Sequence, residues 1–366
     1  MIDHEGIAWE GPRSAEEHEL VQVVQLADIV LAGSSQEHGH AFAHVYRTSN
    51  LNNICVAKHR GRVVHASAMY YHTVATPTGQ VRMAGISGVC THPDYRHHGV
   101  GSKAMLYCLE RMRAQGAHLG LLWTPVPDWY RKFGWEQAGA EDTYYLDRGN
   151  VTLLPYPKRV RIREANPVDQ ARTLELFNRQ PGGGRTPDID RILLDTRQPL
   201  TLLAEQGEQL LGFVRTVRRR VVEYAGEVET VAALVRATFE RLDDPRLSTT
   251  DRDNHNLPVL DASLRVVSPA CGMPLSHYLD ELGIPRSRSY LGMARVVDPV
   301  GLMEAFGLHG ATVTVEGDTI TLNYRGESGT LDVRSLAKLL IGPERVSPLW
   351  ADQLPAWFYV WPWDRV

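Results

Sequence analysis

Cysteine is scarce, with four in 366 residues: Cys55, Cys90, Cys108 and Cys271. They are scattered without disulfide or metal-clip spacing, so no covalent staple is expected and the chain suits a reducing compartment. Long apolar runs are missing. No stretch approaches the roughly 18 consecutive apolar residues that a membrane span needs, and residues 1–12 are polar and acidic, unlike a signal peptide. Neither charge dominates: 39 Lys and Arg stand against 43 Asp and Glu, a formal net charge of -4. That balance gives no reason to expect nucleic acid or an anionic membrane as partner. The one concentrated block, Arg218-Arg219-Arg220, reads as a solvated edge or a local salt-bridge face. The expectation is a soluble cytoplasmic protein.

What is present is an ordinary globular composition, 43% apolar, over a length that predicts two or three domains. Residues 18–32 carry Leu20, Val23, Val24, Leu26, Ala27, Val30 and Leu31 at helical spacing. A hairpin over 54–58 and 62–71, a turn at 76–79, a strand at 81–91, a helix at 100–115, a buried strand at 119–124, a short helix at 129–133 and a strand at 144–147 follow. This order predicts an α/β unit around a mixed sheet. A second unit begins after the linker Tyr156-Pro157-Lys158 and repeats the rhythm: strand 160–163, helix 167–178, strands 200–205 and 210–217, helix 227–242, strand 262–267, helix 275–282. From Tyr290 the texture changes to a short helix at 302–306, a hairpin of 311–316 with 319–324, a helix at 333–341 and a tail dense in tryptophan.

The informative stretch runs Gly88-Val89-Cys90-Thr91-His92-Pro93-Asp94-Tyr95-Arg96-His97-His98-Gly99-Val100-Gly101-Ser102. A strand ends, a tight turn follows, and two glycines stand where a helix begins. Glycine allows close backbone approach, and the unpaired N–H groups of a helix start attract anions, so the pattern suits a pyrophosphate. A ligand-free strand–helix turn has the same local signature.

The run Arg96-x-x-Gly99-x-Gly101 after His92-Pro93-x-Tyr95 resembles motif A of the GNAT acetyltransferases, and Tyr130-Arg131-Lys132-Phe133-Gly134 resembles their "tyrosine, then phenylalanine-glycine" segment. More narrowly, the chain resembles the Eis-type (enhanced intracellular survival) enzymes, on three zones and on Arg295-Val296-Val297-Asp298, which looks like the strand opening their third domain. The resemblance implies an α/β (α+β) architecture: a catalytic GNAT domain at 1–155, a degenerate GNAT-like domain at 156–292 and a smaller sterol-carrier-like α+β domain at 293–366. His97-His98 replace the arginine-rich turn usual in the Eis-type enzymes.

The resemblance further implies acetyl-CoA as cosubstrate, no metal, and direct transfer to a primary amine of a small-molecule acceptor. Val89, Cys90 and Thr91 would pair with the pantetheine arm. Arg96, His97, His98, Gly99, Val100, Gly101 and Ser102 would hold the pyrophosphate. Tyr130 would protonate the leaving thiolate, and the carboxylate of Val366 would be the general base. A homo-oligomer is also implied. Cys90 reads as a buried small hydrophobe rather than a nucleophile. His38, His40 and His44 lack the partners of a metal site; they suit the lining of the acceptor pocket, with His38 or Glu37 passing a proton. The tail tryptophans read as core. Two other functions stay open: a protein or peptide N-acetyltransferase with a shallow acceptor groove, and an acyl-CoA or lipid-binding protein with little catalysis.

Overall fold

The computed structural model of the protein describes residues 9–31, 38–243, 263–270, 272–317, 319–348 and 350–366. The fold is mixed α/β. Its contacts group the chain into two compact units, Met1–Gly139 with Gly292–Ala356 and Arg365–Val366, and Ala140–Leu291 with Trp357–Asp364.

The first unit opens with β1 (Glu10–Ser14), α1 (Leu20–Leu31) and α2 (His38–Ala41), then β2 (Ile54–His59), β3 (Arg62–Ala75), β4 (Gln80–Thr91), α3 (Val100–Ala114), β5 (Leu119–Leu122) and α4 (Pro127–Arg131). The sheet order is β1-β2-β3-β4-β5, with β4 and β5 parallel and the other pairs antiparallel. Strand alternation separates two cores. Cys55, Met69, Ala84 and Ile86 face α3 and Tyr130, whereas Ile54, Val56, Ala66, Ala68 and Cys90 face Val23, Leu26 and Ala27 of α1. Helix α3 buries Val100, Ala104, Met105, Cys108, Leu109 and Met112, one stripe at the helical period. It stops before Gly116, whose φ is +66°.

The second unit contains most of β6 (Glu136–Leu146), then β7 (Arg161–Glu164), α5 (Gln170–Asn178), α6 (Pro187–Arg197), β8 (Leu200–Gln206), β9 (Gln209–Val217), β10 (Arg220–Gly226), α7 (Val228–Asp243), β11 (Leu264–Pro269) and α8 (Pro274–Glu281). Its strand order is β6-β11-β10-β9-β8-β7, again with one parallel pair, β10 with β11. The rhythm of the first unit recurs, but β10 enters α7 through Gly226 and Glu227, without a glycine pair at the helix start. Arg218 and Arg219 are not a strand end. Both adopt left-handed φ, +46° and +55°, and turn β9 into β10; Arg219 donates to the Leu242 carbonyl at 3.0 Å.

A buried charge cluster anchors this unit. Arg185 reaches Asp190 (2.9 Å), Glu223 (2.5 Å) and Asp364 (2.8 Å), and Arg215 reaches Asp190 (2.8 Å) and Glu223 (2.7 Å). The guanidinium of Arg185 lies 4.4 Å from the Phe177 ring, and that of Arg215 lies 5.3 Å from Trp363. Trp361 and Trp363 are fully buried here, as core rather than as a binding surface.

The chain returns to the first unit inside β12 (Arg286–Val296), whose Met293, Ala294, Arg295 and Val296 pair antiparallel with β5. Then come α9 (Pro299–Ala305), capped by Asp298 on the Gly301 N–H at 3.0 Å, the three-stranded sheet β13 (Thr312–Glu316), β14 (Thr319–Tyr324) and β15 (Glu327–Asp332), and α10 (Val333–Ile341), capped by Asp332. Among the described residues no helix is long and apolar enough to cross a membrane.

Breaking one side of a buried ion pair strands the other charge. Arg215→Met should therefore lower stability by about 3–5 kcal/mol, read as a fall in the urea midpoint. Glu175→Ala, which removes the exposed pair with Arg179, should leave that midpoint unchanged.

Candidate active site

The site begins with one surplus residue. Ala66 of β3 faces Cys90 of β4, while Ala68 faces Ser87. Two steps along β3 match three along β4, which is a β-bulge at Gly88 and Val89. Gly88 has φ +62°, and a Cβ there would sit 1.8 Å from the Tyr46 hydroxyl. Only glycine fits both demands. On the other edge, β5 pairs with β4 only at Met83, Ala84 and Gly85. Beyond Gly85 the two parallel strands separate, so β4 keeps an unpaired edge among the described residues. An extended ligand arm can add there as a strand.

Past Thr91 the chain forms a short turn, Pro93–Tyr95, and reaches α3. Arg96 donates from Nε to the Thr91 carbonyl at 3.3 Å, which ties its stem to the strand end. His97 and Gly99 have φ of +68° and +78°. The first helical bond runs from Lys103 to the Gly99 carbonyl at 3.1 Å. The N–H groups of Val100, Gly101 and Ser102 thus precede the helical ladder and face the turn, where Arg96, His97 and Gly99 are exposed. His98 instead packs toward Trp9, with ring centroids 6.4 Å apart. Gly101 lets the helix start approach the strand: a Cβ there would meet Thr91 Oγ1 and the Trp129 ring, each at 3.6 Å. Thr91 Oγ1 is 2.8 Å from Nδ1 of His65, a fully buried ring whose pKa burial lowers to about 4. A neutral histidine therefore braces the strand end.

The two faces of β4 carry different chemistry. Tyr130 belongs to the α3 side, 7% exposed, with Trp129 edge-on at 4.8 Å. Burial pushes its pKa up to about 12, against a lowering hydrogen bond with Thr124. It is a proton donor at neutral pH. On the α1 side Cys90 is buried, and burial raises its thiol to about 12, so it stays protonated and unreactive.

Val366 lies on that same α1 side, in the cluster with Tyr46, Ala68 and Cys90. A Cβ on Gly85 would come within 2.3 Å of Val366 Cγ2, so the tail residue occupies the space that glycine leaves. Its neighbour Arg365 lies 5.5 Å from the Trp123 ring, just past β5.

Two residues that carry no motif join this side. The Tyr46 hydroxyl is 3.2 Å from Nε2 of His38, and His38 packs on Phe42 at 4.8 Å. His44 is buried edge-on against Tyr70, 5.1 Å away. Glu37 lies outside the described residues. Among those described, no group of three or more His, Cys, Asp or Glu could hold a metal ion.

Residues 12–138 match the family model described as an acetyltransferase (GNAT) domain. A protein of Streptomyces coelicolor, named as an uncharacterized N-acetyltransferase, is 31% identical over 152 residues, 37% of this chain and 37% of that protein. The fold is similar to that of a GCN5-related N-acetyltransferase from Kribbella flavida (19% identity, TM-score 0.61, 90% of this chain and 84% of that one). It is also similar to that of the Eis protein of Mycobacterium abscessus (15% identity, TM-score 0.60, 91% and 90%).

The packing of Gly85 predicts how the tail is held. Gly85→Ala needs a shift of the Val366 side chain, so the fold should survive with Val366 displaced. The overpacking should lower the urea midpoint by the equivalent of about 1–3 kcal/mol.

Proposed function

We propose that the chain is an N-acetyltransferase built on the GNAT domain of residues 12–138, moving the acetyl group of acetyl-CoA directly to a primary amine of a small molecule. The observation that carries this reading is the division of β4: a tyrosine donor on one face, the chain-terminal residue on the other, and an unpaired strand edge with a bulge between them.

The residues present fit the cosubstrate. Val89, Cys90 and Thr91 would bind its pantetheine arm along the open edge of β4. The turn from Arg96 through Ser102 would hold the pyrophosphate with backbone N–H groups at the start of α3. Arg96 and His97 are exposed at that turn, whereas His98 serves packing, so the backbone carries more of the load than an arginine-rich turn would require. When bound, the cosubstrate supplies an activated thioester.

The protein's own part is proton handling and orientation. A backbone N–H of the bulge stabilises charge growing on the acetyl oxygen. Tyr130 gives its proton to the departing sulfur; its raised pKa keeps it protonated at neutral pH. The Val366 carboxylate takes a proton from the attacking amine. No enzyme nucleophile is needed.

Eis-type relationship is part of the proposal. Residues 1–155 are the catalytic domain, 156–292 a degenerate GNAT-like domain, and 293–366 a sterol-carrier-like segment. The likeness in fold supports it. The second unit, lacking a glycine pair at the start of α7, binds no CoA. The protein acts in the cytoplasm, as a homo-oligomer, without nucleic acid or membrane as partner.

Thiol release from acetyl-CoA with a panel of polyamines tests the reading. Tyr130→Phe should lower kcat by about 100-fold or more, the usual loss for a general acid. Removing Val366 alone leaves a new carboxylate one position back, so removal of Arg365 and Val366 together should cost more. Absence of turnover with every amine, despite CoA binding, would overturn the assignment.

A further inference from the structure

Acetylation of an amine that arrives as ammonium removes two protons from its nitrogen. One ends on the sulfur of the released thiol and the other leaves to solvent. A single carboxylate can hold one of them. The α1 side of β4 offers a second acceptor that no motif marks.

Tyr46 follows α2, and its hydroxyl meets the backbone of β4 at the bulge: a Cβ on Gly88 would be 1.8 Å from it. Gly88 lies on the open edge beyond Gly85 and directly precedes Val89, where the run proposed to bind the pantetheine arm begins. The same hydroxyl is 3.2 Å from Nε2 of His38 and hydrogen-bonds Ser87. Tyr46 shares its apolar cluster with Val366, so the pair and the chain terminus face the same side of the strand. His38 is held from behind, because the Gly39 N–H donates to Asp28 Oδ1 of α1 at 3.0 Å. Tyr46 is buried, whereas His38 keeps partial exposure and gives the proton a way out.

We infer that Tyr46 and His38 form a proton relay on the acceptor face, with Tyr46 touching the incoming amine and His38 receiving the proton. In one concerted step an ammonium N–H proton passes to the Tyr46 oxygen while the Tyr46 hydroxyl proton passes to Nε2 of His38. The products are a neutral amine, a neutral tyrosine and an imidazolium. The amine then attacks, its second proton goes to the Val366 carboxylate, and Tyr130 protonates the thiolate; the proton on Val366 then returns through solvent to the Tyr130 oxygen, which resets both groups. His38 later releases its proton to solvent. Because it acts through Tyr46, His38 is a positioning residue.

The surroundings suit this role. Burial lowers the pKa of His38, opposed by the charge of Asp28, so the ring is neutral and able to accept at neutral pH. Burial of Tyr46, with Cys90 and Asp28 nearby, disfavours its anion and makes a concerted passage the available route. Among the described residues, Asp28 of α1 and Cys90 of β4 are the titratable groups that act on the pair.

The relay rests on the N-acetyltransferase reading, and the test separates the two. Initial rates with acetyl-CoA and spermidine would be measured from mildly acidic to alkaline pH for the full chain, His38→Gln, His38→Ala and Tyr46→Phe. Glutamine keeps a hydrogen-bonding side chain but cannot carry the proton. His38→Gln should lose about 100-fold in kcat near neutral pH with the KM for acetyl-CoA unchanged. The loss should shrink toward alkaline pH, as solution supplies free amine with a pKa of about 10. Added imidazole should restore part of the rate of His38→Ala, and Tyr46→Phe should block that rescue. Native kcat in His38→Gln, or a loss that is equal at every pH and not rescued by imidazole, would overturn the relay. If Tyr130→Phe is impaired in the same assay, the parent reading stands without it. Absence of turnover by the native chain would overturn both.

Discussion

Everything at the candidate site depends on one backbone irregularity, the extra residue in β4. A regular strand alternates its side chains, so inserting one residue reverses the facing of everything that follows. Gly88 absorbs this reversal in the left-handed region. Val89 therefore packs toward the α3 core with Tyr130, while Cys90 joins the α1 core with Tyr46 and Val366. Donor and acceptor chemistry are kept apart by the thickness of a strand. The separation of β4 from β5 beyond Gly85 then opens the edge along which a thioester can be laid.

The tail is the second constraint. Burying one valine stabilises by at most about 1.5–3 kcal/mol, while ordering each residue costs about 1–2 kcal/mol in backbone entropy. Val366 alone could not keep several tail residues in place. Residues 357–364 are held separately, within the second unit. Trp361 and Trp363 are fully buried in the second unit, and Asp364 meets the guanidinium of Arg185 in two hydrogen bonds of 2.8 and 2.9 Å. A fully desolvated ion cluster is a costly device. It holds Asp364 to the core of the second unit.

Much of the first unit was legible in sequence, because its elements follow the local rules. The apolar stripe of α3, the hairpin around Gly61 and the glycine turn before α3 each carry their own periodicity or turn chemistry. The misses have physical causes. Helix α6 starts with Pro187 and has Asp188 and Asp190 in its first turn, a good start signal, but the preceding glycine run drew attention to a loop. Strand β6 extends far upstream of residue 144 because Glu141 and Asp142, which look like loop residues, are buried against Tyr359, Arg286 and Arg288. Strand β10 was hidden because the arginine turn before it reads as the end of β9. At the site, the turn before α3 was readable from its glycines. His38 was singled out as a pocket residue that could pass a proton, but its partner Tyr46 was not, since no spacing rule links either residue to Gly88, and only the folded sheet brings them together.

Strand β12 has a consequence for how the protein is made. It covers the edge of β5, yet its residues are synthesised about 170 positions after their partners. At roughly 5–20 residues per second, β5 spends on the order of ten to thirty seconds on the ribosome with that edge bare. An apolar strand with an open edge is an invitation to pair with another nascent chain. The sheet of the first unit is therefore completed only after most of the second unit has been synthesised, and its yield in a cell should be sensitive to chaperone occupancy at that edge.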